Sequence, residues 1–240
     1  MVQAVILAGG LGRRLRPLTL ERPKPLIEVA GKPIIVWQLE WLRANGITKV
    51  VVLAGYLKEK IIELLGSGAQ YGVRLTYVVE EEPLGTGGAL WNASHVLESE
   101  DFSVVVNGDV LTNIDVWRLI ERVRGEGAPL AAMALVPLRS PYGLVHVRGG
   151  MVERFEEKPV IRDYWINAGV YAFRREMVGY LPRRGDIERE VFPRIAEAGL
   201  LAAEKYETPP YYWRSVDTHK DIDEAAGELA ELGGLAPPEA

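Results

Sequence analysis

One stretch near the start of the chain limits its fold more than any other. A short apolar run, Val2–Leu7, is stopped by Ala8-Gly9-Gly10; Leu11-Gly12-Arg13-Arg14-Leu15-Arg16-Pro17-Leu18-Thr19 follows, with Pro23-Lys24-Pro25 just beyond. An apolar run halted by glycines reads as a buried strand entering a loop. In open α/β sheets, ligands lie beyond the carboxyl ends of the strands. The first such loop is therefore a candidate binding loop. Its glycines let backbone amides approach a ligand closely, and Arg13, Arg14 and Arg16 supply positive charge suited to phosphate oxygens. Taken alone, the stretch also fits a solvated basic loop. Two common phosphate loops are ruled out. A Walker-type loop needs Lys-Ser/Thr after its last glycine, and Gly12 is followed by Arg13-Arg14. A dinucleotide fingerprint needs glycine where Leu15 stands. It also needs an acid closing the second strand, where this chain has Leu53-Ala54-Gly55.

The pattern downstream alternates. Ile34, Trp37, Trp41 and Leu42 recur at helical spacing behind Pro33, and Asn45-Gly46 ends the run. Val50–Leu53, Val73–Val79 and Phe102–Val106 read as strands; Leu57–Leu65, Ala89–Leu97 and Asp115–Arg124 read as helices, with Glu80–Gly88 a loop. This order predicts an α/β fold with a Rossmann-like, mixed but mainly parallel sheet flanked by helices. The second half is richer in strands: Leu130–Val136, Leu144–Val147, Val152–Phe155, Ile166–Phe173 and Leu200–Tyr206. Asp186–Ala198 reads as a helix capped by Asp186 and kinked at Pro193, and Lys220–Leu232 as a closing helix. With no repeat or low-complexity linker, a single domain over 1–232 and a fraying tail over 233–240 are expected.

Composition narrows the chemistry. None of the 240 residues is cysteine, which removes disulfides, thiolate zinc sites and a thiol nucleophile. A net charge of −5 argues against a nucleic-acid partner held by bulk charge. No apolar run approaches the roughly 20 residues of a membrane span. Met1-Val2-Gln3 puts no basic region ahead of the first apolar run, unlike a signal peptide. The expected setting is the cytoplasm, without a membrane partner; a homo-oligomer is compatible with this reading. His95, His146 and His219 show no metal-ligand spacing.

Five motifs occur in order: the first loop with Pro23-Lys24-Pro25, Glu82-Pro83-Leu84-Gly85-Thr86-Gly87-Gly88-Ala89, Asn107-Gly108-Asp109, Phe155-Glu156-Glu157-Lys158-Pro159, and Ile166-Asn167-Ala168-Gly169-Val170-Tyr171. Together they resemble the sugar-1-phosphate nucleotidylyltransferases, over residues 3 to about 225. Arg13 departs from that family's opening motif, where threonine is usual. The resemblance implies a nucleotide-diphospho-sugar transferase type of fold. Residues 1–125 would form an NTP-binding half and 126–232 a sugar-phosphate half. The implied partners are an NTP and a sugar 1-phosphate. The implied reaction is attack of the sugar phosphate on the α-phosphorus, releasing pyrophosphate.

Residue roles follow from the same resemblance. Arg14 and Lys24 match cations near the transferring phosphate, and Asp109 matches a carboxylate that takes Mg²⁺. Leu7, Ala8, Gly9, Gly10, Gly12, Arg13, Glu80, Pro83, Gly85, Thr86, Asn107 and Gly108 fall at nucleotide-binding positions. Tyr142, Gly143, Glu157, Lys158, Asn167 and Gly169 fall at sugar-phosphate positions, with Lys158 on the phosphate. One departure stands out. The family carries a second metal aspartate in a segment like Trp-x-Asp-x-Gly-Thr, where this chain reads Trp213-Arg214-Ser215-Val216-Asp217-Thr218. Residues two apart in a strand share a face, so Asp217 is expected to complete the metal site in place of Ser215. The other reading makes Asp217 the cap of the last helix, with Thr218 a second candidate cap. Ser215 also motivates a non-catalytic sensor of NDP-sugars as a rival to an active enzyme.

Base choice turns on Glu80, which stands where members using thymidine or uridine nucleotides often have glutamine. A carboxylate can accept from both N1–H and N2–H₂ of guanine, whereas thymine and uracil suit an amide better. Glu80 therefore points to GTP, and the resemblance of Pro83-Leu84-Gly85-Thr86-Gly87-Gly88 to mannose- and heptose-1-phosphate guanylyltransferases makes mannose 1-phosphate the favoured sugar. Heptose 1-phosphate with GTP, and glucose 1-phosphate with UTP or dTTP, are the alternatives.

Overall fold

The structure, a computed structural model, describes residues 1–238. In chain order, β1 (Val2–Ala8) runs into the glycine loop, and three single 3₁₀ turns lead to a short hairpin of β2 (Glu28–Val29) and β3 (Lys32–Pro33). Then come α1 (Ile34–Ala44), β4 (Lys49–Ala54), α2 (Lys58–Leu65), β5 (Arg74–Val79), α3 (Gly85–Asn92), α4 (Ser94–Leu97), β6 (Phe102–Asn107), β7 (Val110–Thr112) and α5 (Val116–Val123). The second half adds β8 (Ala131–Arg139), β9 (Leu144–Arg148), β10 (Met151–Glu156), β11 (Val160–Arg174), α6 (Phe192–Glu197), β12 (Leu201–Lys205), β13 (Trp213–Ser215) and α7 (His219–Leu232).

Seven strands form one sheet in the order β12-β8-β11-β6-β1-β4-β5. β6, β1, β4 and β5 are parallel; β11 runs antiparallel between β6 and β8, and β12 is parallel to β8. The expected mixed, mainly parallel sheet is present, and it joins both halves of the chain. The central strands are near-continuous valine runs because both faces are covered. Alternation along β1 sends Ala4 and Ile6 to a core layer shared with α1, α5 and α7, and Val5 to a second layer shared with α3, α4 and α6. In that second layer Tyr171 packs against Phe192 with ring centroids 4.9 Å apart.

Three expectations need correction. The third helix begins at Gly85, not Ala89, and splits near Ala93. Glycines are poor helix formers, but packing overrides propensity here. The N–H groups of Gly87 and Gly88 donate to the Gly185 carbonyl at 2.9 and 3.2 Å. A Cβ on Gly85 would stand 2.6 Å from the same oxygen. Second, Asp186 precedes a helical segment without capping it; its carboxylate accepts the Thr86 N–H at 3.3 Å instead. The segment begins as a π turn over Ile187–Val191, and α6 starts with Pro193 in its first turn. Third, β11 begins at Val160, not Ile166, extending the sheet toward the hairpin of β9 and β10. Of the expected tail, Gly233 closes α7 at φ 69°, where glycine is favoured; residues 239–240 lie outside the described residues.

Candidate active site

A cleft of about 390 Å³ opens beyond the carboxyl ends of β1, β4 and β6. Its wall includes Leu7 and Ala8 from β1, Gly9 and Gly10 from the loop, and Lys24 from the segment that follows. Glu80, Pro83, Gly85 and Thr86 also line it, with Asn107-Gly108-Asp109 at the end of β6. These expected nucleotide residues, spread over a hundred positions, therefore share one surface. The fit at the strand ends depends on missing side chains. A methyl group on Gly9 or Gly55 would overlap the Glu80 carboxylate, and one on Gly108 would overlap the Leu7 carbonyl. Glu80 accepts the Leu84 N–H at 3.2 Å. Burial pushes its carboxyl above the ordinary range, against the downward pull of that N–H.

Gly12, Arg13 and Arg14 lie outside this wall. Gly12 adopts φ 57° and its carbonyl accepts from Thr19 Oγ1 at 2.9 Å, which pins the loop. Arg13 stays exposed. Arg14 reaches instead to Asp217, 3.0 Å away.

A charged cluster occupies the cleft's end. Lys24 Nζ lies 2.7 Å from Asp109 Oδ2 and 2.7 Å from Asp217 Oδ1. Asp217 thus sits beside the Lys24–Asp109 pair, outside the cleft wall itself, and β13 ends two residues earlier at Ser215. Ser215 Oγ donates to Asp217 Oδ2 at 3.2 Å. Burial opposes the charge on Asp217, yet the Lys24 hydrogen bond and the Lys24 and Arg14 charges hold its carboxyl below the usual range. A depressed folded pKa stabilises the fold above the unfolded pKa, and that stabilisation disappears as pH falls through the folded value. Wild type should therefore melt above Asp217→Asn at pH 7, and thermal scans should show the gap closing below pH ~4.

The cap reading of Asp217 is not what the structure shows. Thr218 is the cap: its Oγ1 accepts the Asp221 N–H, and Asp221 accepts the Thr218 N–H at 2.7 Å. This is a capping box. Thr218→Ala is expected to cost about 0.5–2 kcal/mol in denaturant unfolding while leaving any divalent-cation dependence unchanged.

The expected sugar-side residues are split. Asn167 and Gly169 sit beside the strand-end turn. Gly169 has φ 69°, and a Cβ there would lie 2.8 Å from Asn107 Nδ2. Asn167 Oδ1 accepts the Gly169 N–H at 2.8 Å, and Asn167 Nδ2 donates to Tyr171 OH at 2.9 Å. Gly143, Glu157 and Lys158 form a second group at the base of the β9–β10 hairpin. Gly143 lies against Phe155 and Glu157, and Lys158 Nζ is 3.7 Å from Glu157 Oε1. Tyr142 is exposed. Neither group is part of the cleft wall. Sequence reasoning missed Asp186, which does line it; its position before a helix resembled an ordinary cap, and only the fold brings it to Thr86.

Residues 3–231 match the sequence profile of the family described as Nucleotidyl transferase. A mannose-1-phosphate guanylyltransferase of Mycobacterium tuberculosis is 35% identical over 98% of this chain and 66% of its own length. A mannose-1-phosphate guanyltransferase of Candida albicans is 38% identical over 92% of this chain and 62% of its own. The chain thus spans less than two thirds of these relatives. The crystal structure of HddC from Yersinia pseudotuberculosis complexed with GMP-PN has a similar fold, at a TM-score of 0.73 and 25% identity, covering 95% of this chain and 100% of the other.

Proposed function

This chain belongs to the nucleotidyl transferase family, and we propose that its cleft transfers a guanylyl group from GTP to mannose 1-phosphate, giving GDP-mannose and pyrophosphate. A phosphate oxygen of the sugar 1-phosphate attacks the α-phosphorus, and the bond to the β-phosphate breaks. Both reactants are anions. A pair of like charges 4 Å apart costs about 4 kcal/mol at an effective dielectric of 20, so the residues must supply cations and alignment. Lys24 and Arg14 supply them at the cleft's end. On the sugar side, Lys158 receives the phosphate, while Glu157, Asn167, Gly169, Tyr142 and Gly143 surround the sugar. Lys158→Ala is expected to raise KM for the sugar phosphate about tenfold or more with little change in kcat, read from initial rates.

The donor set at the cleft's end fits Mg²⁺. Two carboxylates, Asp109 and Asp217, already converge on one cation, the Lys24 ammonium. No group of three or more acids or histidines suited to a metal occurs among the described residues. Mg²⁺ needs no more, since it commonly takes one or two carboxylates and fills its shell with water and phosphate oxygens. Bound there, the ion would offset phosphate charge; Asp109 and Asp217 would hold it.

The choice of GTP rests on Glu80, a partly buried carboxylate on the wall of a glycine-lined cleft. The names of the relatives and the GMP-PN in HddC support the same base. Ser215 motivates a sensor role; Asp217, paired with Lys24, offers the carboxylate that Ser215 lacks and weakens that motive. The test is pyrophosphate release from GTP, UTP, dTTP and ATP paired with mannose, glucose and heptose 1-phosphates, with Mg²⁺ present. GTP with mannose 1-phosphate should be fastest. A faster glucose 1-phosphate reaction with UTP or dTTP would replace this assignment, and tight NDP-sugar binding without turnover would favour the sensor.

A further inference from the structure

Helix α1 is buried along most of its length, and one of its core residues is polar. Gln38 is 1% exposed among Ile34, Ile35, Leu39 and Leu42. A buried amide in such surroundings is costly unless it is hydrogen-bonded. Both Nε2 hydrogens are used: one goes to the Asn107 carbonyl at 2.8 Å, the other to the Val110 carbonyl at 2.9 Å. Those two carbonyls flank Gly108 and Asp109. One side-chain amide therefore spans the turn that carries the Asp109 carboxylate. The turn's backbone is also held by Gly108 N–H to the Leu7 carbonyl at 3.0 Å and Val216 N–H to the Asp109 carbonyl at 2.9 Å, and its Asp109 carboxylate by Lys24. The amide's orientation is forced, because turning Oε1 toward the turn would set three oxygens together. As it stands, Oε1 is buried without a protein partner. The side chain leaves its acceptor unpaired and keeps its two donations.

We propose that Gln38 is a positioning residue for the transfer reaction, acting through Asp109 and Asn107 without touching either substrate. The proposal rests on the functional reading above. Its physical content is reach and valence. Glutamine has the length to cross from α1 to the turn and two N–H groups in a fixed fork. Glutamate keeps the shape but offers at most one donor, when protonated. Methionine keeps the volume but has no donor. In either case at least one of the two carbonyls loses its partner, and the weakened turn lets Asp109 drift from Lys24 and Asp217. Small displacements of a reacting constellation have large effects on rate.

The test uses the full chain as wild type, Gln38→Met, Gln38→Glu and Trp41→Phe. Trp41 is the matched control: it is also buried on α1, and its Nε1 donates to the Ile114 carbonyl at 2.9 Å, beyond β7. Two readouts are taken, steady-state kinetics and amide hydrogen exchange across 107–110 without substrate. Gln38→Met should lower kcat about 10–100-fold, move KM for GTP less than about threefold, and raise the Mg²⁺ concentration for half-maximal rate. Exchange at Gly108, Asp109 and Val110 should speed up at least tenfold relative to Trp41→Phe. Gln38→Glu should behave alike and stands in if the methionine variant does not accumulate. A kcat and an exchange rate equal to those of Trp41→Phe at similar melting temperature would overturn the proposal. So would failure of both Gln38 variants to fold while Trp41→Phe folds. If wild type turns over no substrate pair, the functional reading fails, while the exchange result still reports whether Gln38 holds the turn.

Discussion

Lys24→Ala is expected to lower kcat by about 10²–10³, the loss typical of removing one preorganised charge from a transfer site. The same change should have a second, separable effect. Lys24 is the cation between Asp109 and Asp217, and its side chain is only 13% exposed. Removing one partner of a largely buried ionic group leaves the others uncompensated. Asp109 and Asp217 would then face each other as like charges, and the variant should melt below wild type without divalent ion. On the proposed reading Mg²⁺ would bind the folded state at those carboxylates, and so should restore part of the lost stability by mass action. The melting-temperature gain from Mg²⁺ is therefore larger for Lys24→Ala than for wild type, while kcat stays low. Thermal scans with and without Mg²⁺, beside steady-state rates, check both effects. A small kcat change would remove Lys24 from the transfer step; an equal Mg²⁺ response would detach it from the carboxylates.

Glu80→Gln should trade specificity for stability. Hydrogen bonds to a charged group contribute about 1.5–3 kcal/mol, so loss of the carboxylate should lower kcat/KM for GTP about 10–100-fold. Activity with UTP or dTTP should fall less or rise, because an amide can both donate and accept. The stability change has the opposite sign. Burial raises the Glu80 pKa, so keeping it ionised in the folded state at neutral pH costs free energy. An acid with a raised folded pKa favours folding at low pH and loses that contribution as pH rises through the folded value. The glutamine variant should thus melt above wild type at pH 7, and the difference should fade toward pH 4. A lower melting temperature at pH 7 would mean that the Leu84 contact outweighs desolvation.

Much of the cleft was legible before the fold was known. Gly9-Gly10 after an apolar run, Asn107-Gly108-Asp109 after a valine run, and Glu80 at the end of a third strand all follow from strand ends in a parallel sheet. Asp217 was reachable by period-2 reasoning from Ser215. What escaped reading depends on contacts between distant segments. α3 starts on glycines because the Gly185 carbonyl accepts their N–H groups, which no local propensity encodes. Asp186 joins the cleft because the chain at 185–188 folds back on Thr86, to which Glu188 Oε2 also bonds at 2.8 Å. The ion cluster joins residues 24, 109 and 217, on three separate segments. The place of Gln38 was not legible, since its partners are carbonyl oxygens that carry no side-chain signature. The sugar-side residues were named from resemblance, and their two groups come from β9–β11, a region whose boundaries periodicity misjudged by six residues at Val160.

The central claim is that one cleft reads the base at Glu80 and performs transfer beside Lys24, Asp109 and Asp217. A crystal structure of the wild-type chain with Mg²⁺ and a GTP analogue that cannot transfer tests it most directly. The account predicts guanine N1–H and N2–H₂ donating to the Glu80 carboxylate, and a metal bound by Asp109 and Asp217. Lys24 should then have left at least one carboxylate for a phosphate oxygen. A guanine edge turned away from Glu80, or a metal held without Asp217 while Lys24 keeps both carboxylates, would contradict it.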